Sequence, residues 1–250
     1  MFENFIFKSF RNKVKQMNEV IKKSQSRIKK SLEQGFLYHH LIIARSEKFL
    51  RKHDSQRLPM FVLYVDLVGS TKMSSELEPD VFNLIIRTFS QEMALVIEEY
   101  NGYVLKFVGD AVIGYFLAEH KADVISNKVV KCAKTMNHVI EKAINPILKE
   151  KSYPELMIKT TIDFGECSVV RYGSDKHAAH IDLIGLTLNL AAKMQQITKP
   201  GQITIGEYVY NRINLENKTS FSKIRTDSKS WKYHELGTSK SYSIYSFKKK

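Results

Sequence analysis

Residues 103–117 read YVLKFVGDAVIGYFL, two apolar runs of strand length on either side of Gly109-Asp110. A Gly-Asp pair between two such runs is typical of a tight turn, so this stretch predicts a β-hairpin. Apolar residues recur at helical spacing over residues 79–100 before the hairpin and over 122–147 after it. The centre of the chain is therefore predicted to run helix, two strands, helix.

Further strand-like runs lie outside these helices. The apolar runs at 61–71 and 156–170 have the length and composition of buried strands. With them, the order β-α-β-β-α-β predicts an α+β fold with a ferredoxin-like core, whose antiparallel sheet carries helices on one face. Beyond this core we predict a helix at 186–197 and strands at 202–206 and 242–247.

The positive charge of the chain is concentrated at its ends. The 250 residues carry a formal net charge of +13, to which residues 1–60 contribute +9, residues 213–250 contribute +6 and residues 61–212 contribute −2. A nucleic-acid-binding protein usually carries its basic residues on the folded domain, so this distribution argues against a nucleic-acid partner. We place a basic helical N-terminal region at residues 1–58 and one domain at 59–250.

Three interpretations of the N-terminal region remain open. Apolar residues at seam spacing from Val14 to Ile28 favour a short dimer-forming coil or helical hairpin, although Ser24 and Ser31 interrupt the seam. Aromatic residues near the start, beside many Lys and Arg, favour a segment that rests on an anionic membrane surface. A helix packed against its own domain is the third interpretation. No apolar run reaches the roughly 20 residues needed to span a bilayer, so we expect a cytoplasmic protein, either free or associated with a membrane surface.

Two aspartates stand where strands are predicted to end. Asp66 closes the apolar run at 61–71, and Asp110 lies in the hairpin turn. Burying an unpaired carboxylate is costly, so a carboxylate in such a place calls for a partner. Two aspartates at adjacent strand ends would form an oxygen site suited to Mg²⁺ or Mn²⁺.

A loop of small residues follows Asp66 directly. Gly69-Ser70-Thr71 leads towards a helix, an arrangement that exposes backbone N–H groups to phosphate oxygens. A metal site beside a phosphate loop indicates nucleotide chemistry.

Three separated motifs give the chain a resemblance to a known family. YVDLVGST (64–71), LKFVGDAV (105–112) and IDLIGLTLNLAAKM (181–194) look like the motifs of class III nucleotidyl cyclase catalytic domains, and the similarity covers about residues 60–248. The resemblance implies the cyclase type of the ferredoxin-like fold, a homodimer with active sites at its interface, and two Mg²⁺ or Mn²⁺ ions per active site. It also implies conversion of a nucleoside triphosphate to a 3′,5′-cyclic monophosphate and pyrophosphate.

The resemblance assigns metal ligands and base-reading residues. Asp66 and Asp110 match the two metal-binding aspartates, and Leu67 would contribute its backbone carbonyl. Lys106 and Asp182 match the pair that reads adenine, a lysine donor towards the ring nitrogen and a carboxylate acceptor for the amino group. Guanylyl members are expected to carry Glu and a small residue in those two places, so the pair favours ATP as substrate and cyclic AMP as product.

The remaining matches concern the ribose and the phosphates. Asn189 matches the asparagine that orients the ribose, and Lys159 falls where many members have an arginine facing the triphosphate. Lys193 stands where the family has an arginine that stabilises charge in the transition state, and it shares a helix face with Asn189. Because lysine lacks the planar fork of arginine, we expect a slower enzyme or a shifted site geometry rather than an inactive enzyme.

Other functions stay open on the sequence alone. A cyclase of the same fold could use GTP or a pyrimidine triphosphate, and a weakly active or non-catalytic module could bind nucleotide for regulation. An adaptor that binds a membrane or a nucleic acid through the basic ends is a third class. It predicts salt-sensitive binding that does not need residues 61–212.

Overall fold

An eight-stranded sheet forms the centre of the computed structural model, which describes residues 17–31, 42–118, 121–227 and 231–247. The strands are β1 (Arg57–Leu67), β2 (Tyr103–Val108), β3 (Ala111–Leu117), β4 (Ile158–Tyr172), β5 (His180–Ile184), β6 (Ile203–Gly206), β7 (Phe221–Lys223) and β8 (Ile244–Phe247). Their order across the sheet is β2-β3-β1-β4-β6-β8-β7, and β5 also pairs with β4.

Helices precede and connect the strands. They are α1 (residues 17–31), α2 (Ile42–Lys52), α3 (Ser70–Glu76), α4 (Pro79–Glu99), α5 (Ala122–Val139), α6 (Asn145–Glu150), α7 (Leu186–Met194), α8 (Glu207–Arg212) and α9 (Leu215–Lys218). A π-helical turn, Ile140–Ile144, joins α5 to α6. None of the helices in the described ranges is long and apolar enough to cross a membrane.

The predicted hairpin and its neighbours are confirmed. β2 and β3 pair antiparallel around Gly109-Asp110, and β1 pairs antiparallel with both β3 and β4. The strand order β2-β3-β1-β4, with α4 between β1 and β2 and α5 between β3 and β4, is that of the ferredoxin-like core. Beyond this core β6 joins β4 in parallel, so the sheet is antiparallel in its core and mixed towards one edge.

The two helices of the core, α4 and α5, lie on one face of the sheet as predicted, and helices from outside the core cover the other face. α1, α4 and α5 cover one face, where alternate residues of β1 from Phe61 to Val65 are buried. α2, α7 and the chain around Trp231 cover the other face, where Met60 and Val62 are buried. A strand buried on both faces has a continuous apolar run instead of an alternating pattern, as the start of the 61–71 stretch does.

The described part of the N-terminal region packs against the same domain. Four residues at helical spacing form the buried stripe of α1: Val20, Ser24, Ile28 and Ser31. The two serines therefore belong to the buried stripe instead of interrupting it. Arg27 of α1 makes a two-point ion pair with the buried Glu92 of α4, with Nε–Oε1 at 3.0 Å and Nη2–Oε2 at 2.6 Å. The aromatic residues that favour membrane contact fall in 1–16, outside the described residues.

The start of β1 and the presence of β5 differ from the prediction for physical reasons. β1 begins at Arg57 and includes Pro59, because pairing with β3 starts only at Met60 and leaves the proline with a paired strand on one side, β4. β5 was not predicted, because the alternation of polar His180 and Asp182 with apolar Ile181 and Leu183 covers only four residues. Its strand conformation comes from antiparallel pairing with the end of β4.

Candidate active site

The two aspartates predicted at strand ends lie at the same end of the sheet. Asp66 is the cross-strand partner of Ala111, and Asp110 directly precedes Ala111 in the hairpin turn. The Leu67 N–H donates to the Asp110 carbonyl oxygen at 3.3 Å, which holds the end of β1 against the turn. Both aspartates are half-buried. The fold thus places the two residues side by side where solvent still reaches them.

Lys159 forms an ion pair with Asp66. The two residues are direct cross-strand partners on β4 and β1, and Nζ of Lys159 lies 3.1 Å from Oδ2 of Asp66. Burial raises the pKa of Asp66 above its ordinary value, the bond from Lys159 lowers it in part, and the charge on Asp110 raises it. A cation beside Asp66 therefore stabilises the ionised carboxylate.

The donor set of this edge suits a hard divalent ion. Asp66 and Asp110 offer carboxylate oxygens, and Mg²⁺ is commonly held by one or two carboxylates, with waters and substrate phosphates as its other ligands. Two neighbouring half-buried carboxylates fit that requirement. Within the described ranges, no group of three or more His, Cys, Asp or Glu side chains is arranged to hold a metal ion, and a site of this type does not need one.

The loop of small residues leads from β1 into α3. Gly69 adopts a left-handed conformation with φ of +76°, and a side chain there would meet no atom within 4 Å. The glycine is therefore needed for the backbone turn and not for space. Ser70 and Thr71 are the first two residues of α3, where backbone N–H groups have no partner within the helix. The predicted phosphate loop thus follows immediately on the strand that carries Asp66.

Lys106 and Asp182 form a second ion pair, which joins β2 to β5. Asp182 also accepts a hydrogen bond from the Leu183 N–H at 2.9 Å, and Nε2 of His180 lies 3.8 Å from the same carboxylate. The Lys106 side chain is 37% exposed and that of Asp182 is 15% exposed. The two residues that the resemblance assigns to base reading are therefore neighbours within one chain.

Tyr64 belongs to this surface and is not among the residues predicted from the sequence. Tyr64 and Lys106 are both cross-strand partners of Ile113, so their side chains project to one face of the sheet. Burial raises the pKa of the Tyr64 phenol, and the negative charge of Asp182 raises it further. The sequence could have indicated this place for Tyr64, because it lies two residues before Asp66 and alternate residues of a strand share a face.

The two remaining predicted residues lie on α7. Asn189 and Lys193 are exposed and one helical turn apart. Within the described residues, no hydrogen bond or ion pair joins either of them to Asp66 or to the Lys106–Asp182 pair. One chain therefore forms two separate groups of predicted residues, the aspartates with Lys159 and the Lys106–Asp182 pair. Asn189 and Lys193 belong to neither group.

Gln195, just beyond α7, connects this helix to the strand ends. Its side-chain amide donates to the carbonyl oxygens of Tyr64 at 3.2 Å and Lys159 at 3.3 Å, and to the hydroxyl of Thr161 at 3.3 Å. The same hydroxyl donates to the Ala191 carbonyl at 2.7 Å. Gln195 thus fixes α7 beside the residues of the site, a role that sequence pattern alone does not reveal.

A family sequence profile matches most of the chain. The profile of the adenylate and guanylate cyclase catalytic domain covers residues 54–245. The chain belongs to this family. The resemblance drawn from the three motifs is thereby confirmed, and the strand order described above is that of a class III cyclase domain.

Curated relatives of this cyclase domain carry the names of pyrimidine nucleotide cyclases. The chain is 28% identical over 166 residues to a protein named uridylate cyclase from Rhodovulum sp. (strain MB263), covering 62% of this chain and 66% of the relative. It is 26% identical over 171 residues to a cytidylate cyclase of Staphylococcus aureus, covering 66% of this chain and 40% of the relative. The matched part is therefore less than two thirds of the length of either relative.

Solved structures of cyclase domains show the same fold. The adenylyl cyclase CyaB from P. aeruginosa superposes with a TM-score of 0.64 at 24% identity, covering 78% of this chain and 96% of that one. The guanylyl cyclase Cya2 superposes with a TM-score of 0.63 at 21% identity, covering 78% of this chain and 93% of that one. At such identities the likeness establishes the fold alone.

Proposed function

We propose that the chain is a nucleotidyl cyclase that converts a nucleoside triphosphate to a 3′,5′-cyclic monophosphate and pyrophosphate. The observation that carries this proposal is the position of Asp66 and Asp110 at adjacent strand ends, next to the Gly69 loop. Two Mg²⁺ or Mn²⁺ ions held by these carboxylates and the Leu67 carbonyl would lower the pKa of the ribose 3′-hydroxyl and stabilise the leaving pyrophosphate.

The chain's other residues position the substrate and balance its charge. In the proposal, the N–H groups of Ser70 and Thr71 bind phosphate oxygens, and Lys159 neutralises part of the triphosphate charge. Asn189 orients the ribose, and Lys193 stabilises charge in the transition state. Phosphoryl transfer depends on positioning and charge stabilisation, so the reaction needs no covalent nucleophile from the protein.

Exposed apolar side chains favour a homodimer with shared sites. Phe107 and Val108 of the hairpin are 38% and 52% exposed, and Ile184 and Leu186 between β5 and α7 are 46% and 40% exposed. Such surfaces often mark contacts with another chain. In a two-fold dimer, these surfaces would place the base-reading pair of one chain against the metal-binding aspartates of the other, twice.

Mixing two inactive variants tests the shared site. Asp66→Asn removes a metal ligand and Lys106→Met removes a base-reading residue, so each homodimer is expected to be inactive. A mixed dimer regains one intact site, and random exchange restores roughly a quarter of the wild-type activity. A mixture as inactive as its components, with exchange confirmed by mass spectrometry, would contradict the shared site.

We propose a pyrimidine triphosphate as the substrate, with ATP as the second candidate. A lysine donor beside a carboxylate acceptor suits adenine, but cytosine and uracil also present an acceptor next to a donor on a single ring. Tyr64 projects to the same face of the sheet as Lys106, and in the proposal its ring limits the room beside the base-reading pair to a single-ring base. The names of the curated relatives support the same choice, whereas the Lys106–Asp182 match keeps ATP as the alternative.

Incubation with each of the four labelled triphosphates and Mn²⁺ tests the reaction and the base. We expect cyclic UMP or cyclic CMP with one pyrophosphate per product, and a shift towards purines in Tyr64→Ala. Cyclic AMP as the sole product would replace the pyrimidine assignment with that of an adenylyl cyclase. A folded dimer that forms no cyclic product from any of the four would overturn the cyclase proposal.

A further inference from the structure

The contact between Lys159 and Asp66 is built into the strand register. The two residues face each other across β1 and β4, and their side chains are 23% and 25% exposed. Strand pairing keeps the two residues opposite each other, so the contact forms without any ordering of the backbone, unlike a pair between long side chains on an open surface. The Lys159 ammonium therefore lies at the carboxylate that the proposed reaction needs for metal.

The backbone at this place is fixed while the ammonium is able to move. Gln195 donates to the carbonyl oxygens of both Tyr64 and Lys159, which ties the two strands together beside the pair. The lysine ammonium, in contrast, stands at the end of a flexible four-carbon stem with several rotamers. The side chain can leave Asp66 without any change in strand pairing.

Charge balance explains why a lysine stands here. Asp66 and Asp110 are neighbouring carboxylates that repel each other, and Lys159 supplies positive charge at 3.1 Å from Asp66. A divalent ion would supply the same compensation more strongly. An ammonium and a divalent ion in contact with one carboxylate repel each other at close range in partly buried surroundings. The two cations are therefore alternatives at Asp66.

We propose that Lys159 is a resident counter-ion of the metal site that competes with the divalent ion for Asp66 and moves to the triphosphate when substrate binds. This inference rests on the proposed function and specifies how its metal site is regulated. Metal alone then binds weakly, because it must displace the ammonium. Metal and triphosphate then bind cooperatively: each binds more tightly when the other is present, because the phosphates give the displaced ammonium a new partner.

Mn²⁺ binding in the absence of nucleotide tests the competition. The dissociation constant is measured by electron paramagnetic resonance or calorimetry on the full chain and on Lys159→Met. We expect Lys159→Met to bind Mn²⁺ at least about tenfold more tightly than the wild type. Lys159→Arg keeps the charge and should stay near the wild type. Lys23→Met removes an exposed lysine of α1 that pairs with Glu99 on the other face of the sheet, and it should change the constant by less than about twofold.

Each outcome bears on a different step. Unchanged or weaker Mn²⁺ binding by Lys159→Met, with binding still lost in Asp66→Asn, would overturn the competition and leave the metal site standing. Equal tightening in Lys23→Met would show a general charge effect and would also overturn it. Mn²⁺ binding that is insensitive to Asp66→Asn in every background would overturn the metal assignment of the proposed function together with this inference.

Discussion

Two carboxylates on the same face of the β1–β4 ladder have opposite surroundings. Asp66, at the end of the ladder, is 25% exposed and paired with Lys159. Asp163, opposite Val62 in the middle of the ladder, is 1% exposed and accepts a hydrogen bond from the Tyr242 hydroxyl at 2.6 Å. Burial raises the pKa of both groups, and that of Asp163 to about 7.

The difference shows that burial by itself does not make an ion site. A side-chain carbon at Gly206 would lie only 2.2 Å from Oδ1 of Asp163, so the backbone closes the space around that oxygen. The second oxygen of Asp163 has no hydrogen-bond partner among the described residues. Asp66, in contrast, has a cation in contact, a second carboxylate at its side and access to solvent. We therefore assign chemistry to Asp66 and a structural role to Asp163.

Substitution of Asp163 by asparagine should give the largest change in the pH dependence of stability. The folded chain keeps the Asp163 proton up to about pH 7, whereas the unfolded chain releases it near the ordinary value of 3.8. Between pH 3.8 and about pH 7, the free energy of unfolding falls by about 1.4 kcal/mol for each unit of rising pH. Above about pH 7 this contribution no longer changes with pH. Urea unfolding of the wild type and Asp163→Asn at several pH values measures the difference. Parallel curves for the two proteins would show that Asp163 is not protonated in the fold.

Tyr242→Phe should have a smaller effect, centred on the same carboxyl. Loss of the hydroxyl leaves Asp163 without that donor and should cost about 1–3 kcal/mol of stability. Because the hydrogen bond from Tyr242 lowers the pKa of Asp163, the pH at which stability levels off should move upwards. A double-mutant cycle with Asp163→Asn measures the coupling, and an additive cycle would contradict a direct interaction.

Gln195→Leu should have the smallest effect on stability and should act on the Asp66 end alone. The variant loses donors to the Tyr64 and Lys159 carbonyls, but it also removes an amide oxygen that has no partner among the described residues. We expect a loss of about 1 kcal/mol and a higher Mn²⁺ concentration for half-maximal activity. The pH dependence assigned to Asp163 should be unchanged, and a change in its slope would show that Gln195 also acts on the surroundings of Asp163.

The features that depend on local sequence pattern were predicted correctly. Apolar periodicity and a turn signal were sufficient for the β-α-β-β-α-β core and for Asp66 and Asp110 at strand ends. The contact of Lys159 with Asp66 and the burial of Asp163 depend on which residues face each other across two strands about ninety positions apart, which composition does not encode. Ser24 in the buried stripe of α1 was misjudged for a related reason, since a small polar residue gives no apolar signal where two helices pack closely.

Formation of cyclic nucleotide by Asp66→Asn and Asp163→Asn, assayed beside the wild type at saturating Mn²⁺ and triphosphate, tests the central claim most directly. We predict that Asp66→Asn loses activity by at least about a hundredfold, because it removes a metal ligand. Asp163→Asn should stay within about threefold of the wild type, because it changes stability and not the reacting groups. Wild-type activity in a folded Asp66→Asn protein, or an equal loss in both variants, would contradict the account.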